Sequence, residues 1–216
     1  MISTSIEKLD HFLGGGIKNG IITDIFGPNG TGKTHFLIQI SINSLQQGGR
    51  VYFQDTTGEF RPERMLEVMK NHNMDHSLMD KVIVSRIINS AEQIHALSKI
   101  SESNFDLIVI DNITDLFSFE YSKDKLTLEK NIAFMKYMHE LSKITIQNNI
   151  PVVITNMIRN IDQHETENLE KSISIFTHTK IKLSKKGTKF TGKVYSPFSE
   201  KIFNYNISSD GLHNSS

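Results

Sequence analysis

Residues 27–34 read Gly27-Pro28-Asn29-Gly30-Thr31-Gly32-Lys33-Thr34 and satisfy the pattern G-x-x-x-x-G-K-[ST]. A stretch of this kind does phosphate chemistry. Its glycines let backbone N–H groups curl around an anion, and a helix opening behind it adds the partial positive charge of its N-terminus. Lys33 is spaced to reach the β- and γ-phosphates of a nucleotide and to act in catalysis. Thr34 is spaced to offer a hydroxyl to Mg2+. The pattern therefore predicts ATP and Mg2+ as ligands, with Gly27, Pro28, Asn29, Gly30, Thr31, Gly32, Lys33 and Thr34 as the cradle. Asp111 is the second candidate. It ends the apolar run Leu107-Ile108-Val109-Ile110, and a carboxylate at the C-terminal end of a buried strand, beside a phosphate loop, supplies the other Mg2+-side ligand.

These residues need a scaffold, and the rest of the chain alternates in a way that provides one. Short β-branched runs at 21–26, 50–54, 81–85, 105–110 and 151–155 read as strands. Between them, 33–47, 62–71, 91–101 and 126–148 have helical spacing, the first stopped by Gly48-Gly49. The run at 105–110 is apolar without alternation, as expected of a strand covered on both faces. Such βα alternation predicts an α/β fold: a mostly parallel central sheet with helices on both faces. The end of the chain differs. Segments 179–183 and 189–195 flank a turn at 184–187 and read as an antiparallel hairpin, with 201–206 as a further edge strand. Residues 156–172 are polar and poorly periodic and are expected to form a flexible loop; 212–216 are expected to fray.

Length and composition set the outer bounds. A chain of 216 residues suits a single α/β domain over 1–216. Lys plus Arg equals Asp plus Glu, 24 each, so no global positive field holds the chain on nucleic acid. DNA contact then requires a local basic patch. The absence of Cys rules out disulfides and thiolate metal sites. No apolar run approaches the ~20 residues that cross a bilayer, and the N-terminus lacks a signal-peptide pattern. The expectation is a cytoplasmic protein without membrane contact.

Beyond the phosphate loop, the chain resembles the RecA/RadA recombinase family, in its archaeal RadA/RadB branch. Leu9-Asp10 with Leu13-Gly14-Gly15-Gly16-Ile17 is similar to the family's entry segment. The stretch Asp55-Thr56-Thr57-Gly58-Glu59-Phe60-Arg61-Pro62-Glu63-Arg64 resembles its D-T-E-G-x-F-R-P-E-R. Val84-Ser85-Arg86, Asn89-Ser90, Val153-Ile154-Thr155-Asn156 and Ser196-Pro197 match further segments in order. The resemblance implies a RecA-like P-loop NTPase core, ATP with Mg2+, and a role in DNA recombination and repair. It begins at the ATPase core, as in RadB-type paralogs. It also implies that Arg64 stacks on adenine, the alternative being a surface arginine packed on its helix.

Several positions depart from the family. Its catalytic Glu in D-T-E-G is Thr57 here, whose hydroxyl is not appreciably ionised near neutral pH. Losing a positioned base typically costs ~10²–10⁴ in rate. Glu59 is either a replacement catalytic base or a solvated loop carboxylate. Met157 stands where the family has the Gln that senses the γ-phosphate, and a thioether donates no hydrogen bond. Ser118 stands near where the first DNA loop carries an Arg. The segment matching the second DNA loop holds Glu165, Glu167 and Glu170, which repel phosphate backbones. A lysine cluster at 180–193 (Lys180, Lys182, Lys185, Lys186, Lys189, Lys193) fits single-stranded DNA, a neighbouring subunit's nucleotide, or simply a solvated sheet edge. Three readings follow: an accessory recombinase paralog with weak hydrolysis, partnered by a RadA-type recombinase or by itself; a competent DNA-dependent ATPase; and a KaiC-like ATPase without DNA.

Overall fold

A computed structural model describes residues 1–216 except 103, 122–126, 162–163, 197–198 and 216. The five runs read as strands become β1 (Ile22–Gly27), β2 (Val51–Asp55), β3 (Val82–Arg86), β4 (Leu107–Asp111) and β5 (Val152–Ile161). Each pairs parallel with its neighbours, in the spatial order β1-β5-β4-β2-β3. The strand residues alternate between two cores. Ile25, Phe53, Val109 and Val153 face one side, under α1 (Glu7–Leu13), α2 (Lys33–Gln46) and α3 (Pro62–Asn71). Ile22, Tyr52, Ile108, Ile110 and Ile154 face the other, under α4 (Ser90–Ser101), α5 (Asp115–Glu120), α6 (Thr127–Gln147) and α7 (Glu170–Ile173). Burial on both faces is why β4 reads as an unbroken apolar run, whereas β3, at the edge of the parallel sheet, is half exposed. The expected start of α6 at residue 126 lies outside the described residues.

Strand β7 (Thr177–Lys186) continues the parallel sheet beyond β1, and the chain then turns antiparallel through β8 (Lys189–Ser196), β9 (Ser199–Ser208) and β10 (Gly211–Asn214). The hairpin turn sits at Gly187-Thr188, between the paired Lys186 and Lys189, slightly later than the spacing predicts. Residues 212–214 correct the expectation of a frayed end. Leu212 is buried and its N–H donates to Gln39 Oε1 of α2 (3.3 Å), while Gly211–Asn214 pairs with β9. Consequently β9 is an inner strand and β10 the edge.

A second correction concerns residues 156–172. The distal half of β5 pairs antiparallel with β6 (His164–Glu167), and α7 follows. No apolar period-2 pattern betrays this arm because polar groups hold it: Asn156, Glu167 and Asn168 are all buried, and Asn156 Nδ2 donates to Glu167 Oε1 and to Asn168 O. Short α1, α5 and a 3-10 turn at His76–Lys81 also escaped the sequence reading; each is a turn or two long, too short for a period to stand out.

Candidate functional site

The carboxyl ends of β1, β2, β4 and β5 converge on a cavity of about 510 Å³, the position where open α/β sheets hold ligands. Its floor is the glycine-rich loop between β1 and α2. Gly27 abuts β7 so closely that a Cβ would collide with the Leu183 carbonyl oxygen. Gly32 caps α2 in the left-handed region, φ 88°, with Ile207 of β9 against it. The loop is braced from within and from outside. Thr31 Oγ1 donates to Pro28 O (2.8 Å), and the buried Tyr205 hydroxyl of β9 donates to Thr31 O (2.6 Å). Lys33 Nζ donates to Gly27 O and Pro28 O, both at 3.0 Å. Burial pushes the Lys33 ammonium below its ordinary pKa, opposed by the charges of Asp111 and Glu59. Asn29 and Gly30 form the exposed rim.

Asp111 meets this loop directly. Its Oδ2 accepts from Thr34 Oγ1 (2.6 Å) and its Oδ1 from Thr155 Oγ1 (2.6 Å). Burial raises the Asp111 pKa above the usual carboxylate value, the two hydroxyls oppose that rise, and Asp55 and Glu59 add to it. A buried carboxylate with hydroxyl partners, beside a second hydroxyl and next to other acids, is a hard oxygen donor set with uncompensated negative charge. It fits Mg2+. Among the described residues no group of three or more His, Cys, Asp or Glu side chains could hold a metal. A Mg2+ ion held by Thr34 and Asp111 would need further oxygen ligands from elsewhere, such as phosphate and water.

The wall opposite the loop is the turn after β2, and Asp55 organises it. Its Oδ1 accepts from Thr57 N (3.0 Å), Thr57 Oγ1 (3.0 Å) and Gly58 N (2.7 Å), while Oδ2 accepts from Arg86 Nη1 (3.1 Å). The Thr57 hydroxyl also accepts from Glu59 N at 3.1 Å, so both its donor and an acceptor site are engaged. Glu59 is exposed and lines the cavity, with its charge felt at both Lys33 and Asp111. Thr56 Oγ1 donates to the carbonyls of Asp111 (2.8 Å) and Asn112 (2.7 Å), tying this wall to β4.

Arg64 lines the same cavity, but it is not a loose surface arginine. Its guanidinium donates to Ser208 O, to Ser209 O (3.2 Å) and to Glu67 (2.6 Å), which pins it to the β9–β10 turn. Its neighbour His35 also lines the cavity and is held below the ordinary imidazole pKa by burial and then by the Arg64 charge. Met157 lies on the β5 side of the cavity. Half of the lysine cluster is occupied. Lys180 pairs with Glu167 and Asp24, Lys182 with Glu165 (2.8 Å), and Lys193 with Glu200. Lys185, Lys186 and Lys189 are exposed near the β7–β8 turn, Lys185 lying 5.0 Å from the Phe190 ring centre. Pro197 lies outside the described residues.

Four participants escaped the sequence reading: Tyr205, Thr155, Arg86 and Asp24. Asp24 left a signal as the one charged residue of β1, and Arg86 and Thr155 lay in segments similar to the family. Tyr205 acts from a strand distant in sequence.

Comparison with known proteins agrees with this fold. A family model described as Rad51 matches residues 1–215. The DNA repair and recombination protein RadA of Cenarchaeum symbiosum is 36% identical over 169 residues, covering 73% of this chain and 42% of that protein. The DNA repair and recombination protein RadB of Thermococcus sibiricus is 34% identical over 162 residues, covering 73% and 68%. RadB of Thermococcus onnurineus is 32% identical over 183 residues, covering 83% and 76%.

Proposed function

This chain belongs to the Rad51 family and is similar to archaeal RadA and RadB proteins, and we propose that it binds Mg-ATP at Thr34 and Asp111, hydrolyses it slowly, and serves as an accessory factor in DNA recombination and repair. One contrast within the cavity carries this reading. The groups that would hold phosphate and Mg2+ (Lys33, Thr34, Asp111) are assembled, whereas the Thr57 hydroxyl is engaged by Asp55 and by Glu59 N. Phosphoryl transfer to water needs an oriented nucleophile as well as charge stabilisation. Lys33 would shield the transferred group, Thr34 and Asp111 would seat the cation, and the pinned Arg64 would offer its face to the base. Binding then survives while turnover falls, because the missing group matters most in the transition state.

The exposed carboxylate of Glu59 in the same cavity favours a second reading, a DNA-dependent ATPase with Glu59 as base. Steady-state turnover with and without single-stranded DNA separates the two. Under the first reading turnover is slow, Glu59→Gln changes it little, and Thr57→Glu raises it by on the order of 10²-fold or more. Robust DNA-stimulated turnover that Glu59→Gln abolishes makes the second reading correct. Contact with single-stranded DNA falls, in either case, to Lys185, Lys186 and Lys189 rather than to the whole cluster, since Lys180, Lys182 and Lys193 are paired with acids. A RadA-type recombinase or a second copy is the proposed partner.

A further inference from the structure

Strand β9 runs beside the phosphate loop and touches it twice. The Tyr205 hydroxyl donates to Thr31 O (2.6 Å), and the Ile207 side chain fills the place that a Cβ on Gly32 would need. Tyr205 is buried, its ring centre 5.4 Å from that of Phe190 and 5.9 Å from that of Phe203. Burial raises its pKa above the ordinary phenol value, so the hydroxyl stays a donor. The strand is in turn fixed to α2, the helix that opens behind the loop. β10 pairs with β9, and Leu212 N of β10 donates to Gln39 Oε1 of α2 (3.3 Å). The end of β9 and the turn after it offer the carbonyls of Ser208 and Ser209 to Arg64. One short stretch of chain thus reaches both the glycine-rich loop and the arginine across the cavity from it.

The contact at Thr31 falls where the loop has most freedom. Thr31 lies between Gly30 and Gly32, both in the left-handed region with φ 76° and 88°, and a Cβ on Gly30 would meet nothing within 4 Å. Glycines on each side let the peptide groups between them rotate at little steric cost. Thr31 Oγ1 and Lys33 Nζ bond back onto carbonyls of the loop itself, at Pro28 and Gly27, and such contacts move with it. Tyr205 comes from outside the loop, 174 residues further along the chain. The peptide between Thr31 and Gly32 is planar and trans, so its C=O and N–H point in opposite directions. Tyr205 takes the carbonyl on the β9 side and leaves the Gly32 N–H facing away from β9. Gly32 lines the cavity. An inverted peptide would offer an anion there a carbonyl oxygen in place of a donor.

We propose that Tyr205 is a positioning residue for polyphosphate: its hydroxyl holds the Thr31–Gly32 peptide in the orientation that turns an N–H toward the phosphates. The proposal rests on the reading that the loop takes the phosphates of ATP. A ligand that binds one state of the loop has an apparent affinity scaled by the fraction of molecules already in that state. A single buried hydrogen bond shifts such an equilibrium by up to about tenfold. Losing the hydroxyl therefore weakens phosphate binding while the ring, and the packing it provides, stay in place.

Isothermal titration of the full chain with Mg-pyrophosphate, and with Mg2+ and the β,γ-imido analogue of ATP, tests this. Tyr205→Phe keeps the ring and loses the donor. It is expected to raise both Kd values by a common factor of about two to ten and to speed hydrogen–deuterium exchange across residues 28–34. Tyr137→Phe removes another buried tyrosine hydroxyl, in the opposite core, and leaves both Kd values at the wild-type level. A Tyr205 with a structural role alone lowers the urea midpoint without moving either Kd, and that result overturns the proposal. So does an equal rise in Tyr137→Phe. Pyrophosphate that fails to bind the wild type, or that binds Tyr205→Phe equally well, overturns it too, because the effect then does not lie at the phosphates. If Tyr205→Phe fails to fold, Ile207→Val trims the methyl group that lies against Gly32 and is expected to raise both Kd values; unchanged values overturn the proposal. A wild type that does not bind the ATP analogue overturns the parent reading, whereas analogue binding untouched by Tyr205→Phe overturns this proposal alone.

Discussion

Asp111 at the end of β4 and Asp24 in β1 are carboxylates in equally dry places, 2% and 0% exposed, and burial is the largest cause of the raised pKa of each. Their partners differ. Asp111 receives two hydroxyl hydrogen bonds and faces a cavity. Asp24 faces the Lys180 ammonium, which it shares with Glu167. A buried charge given only neutral donors keeps an attraction for a cation from outside. One given a lysine has its cation built into the chain, and it becomes part of the scaffold. The same residue type thus offers a candidate ligand site at the end of β4 and makes a fastening inside β1.

The largest effect expected from this contrast is on folding. Lys180→Met strips the ammonium from two buried carboxylates and should cost about 3–5 kcal/mol, the usual result of breaking a buried pair from one side. A lower urea midpoint with an unchanged slope reports it; an unaltered midpoint would mean that the cluster is not held by Lys180. Next in size is Asp111→Asn. It should weaken Mg2+-dependent nucleotide binding by on the order of 10–100-fold, in line with losses at groups that orient a metal, while the urea midpoint holds or rises because a buried charge is gone. Equal affinities in Mg2+ and in EDTA for the wild type would erase the distinction between the two aspartates.

The smallest effect is a pH dependence. Asp24 keeps its proton to a higher pH in the folded chain than in the unfolded one, where the ordinary value is 3.8. Its contribution to stability is thus complete below that value and is lost as pH rises through the raised folded value. Asp24→Asn has no proton to lose. The urea midpoint of the variant should gain on that of the wild type from pH 4 upward. Parallel pH profiles for the two proteins would show that Asp24 ionises in the fold without cost.

Only the Asp111 side of this contrast could be read from the chain alone. Val153-Ile154 and Leu107 to Ile110 announce strands covered on both faces, because a strand between two helical layers has no solvent side to mark with polar residues. The phosphate loop is legible for a related reason. Its chemistry depends on contiguous backbone and on two neighbouring side chains, Lys33 and Thr34, so local order carries it whole. Asp111 was placed by its position at a strand end, which is also a local property. The substitution of Thr57 is visible as a residue type, and so is its chemical consequence.

Other features belong to the tertiary structure. The distal half of β5 and β6 pair into an arm because Lys180 and Asn156 meet Glu167 across the sheet, and no periodicity within those strands records partners that lie outside them. The lysine cluster reads as a basic patch in sequence, yet pairing with Glu165, Glu167 and Glu200 neutralises half of it. The tail at 212–214 is ordered by Gln39, and Arg64 is fixed by carbonyls of the β9–β10 turn. In each case the deciding contact joins positions far apart along the chain. Sequence determines which groups a segment can offer; only folding determines which of them find a partner inside the protein and which are left facing the cavity.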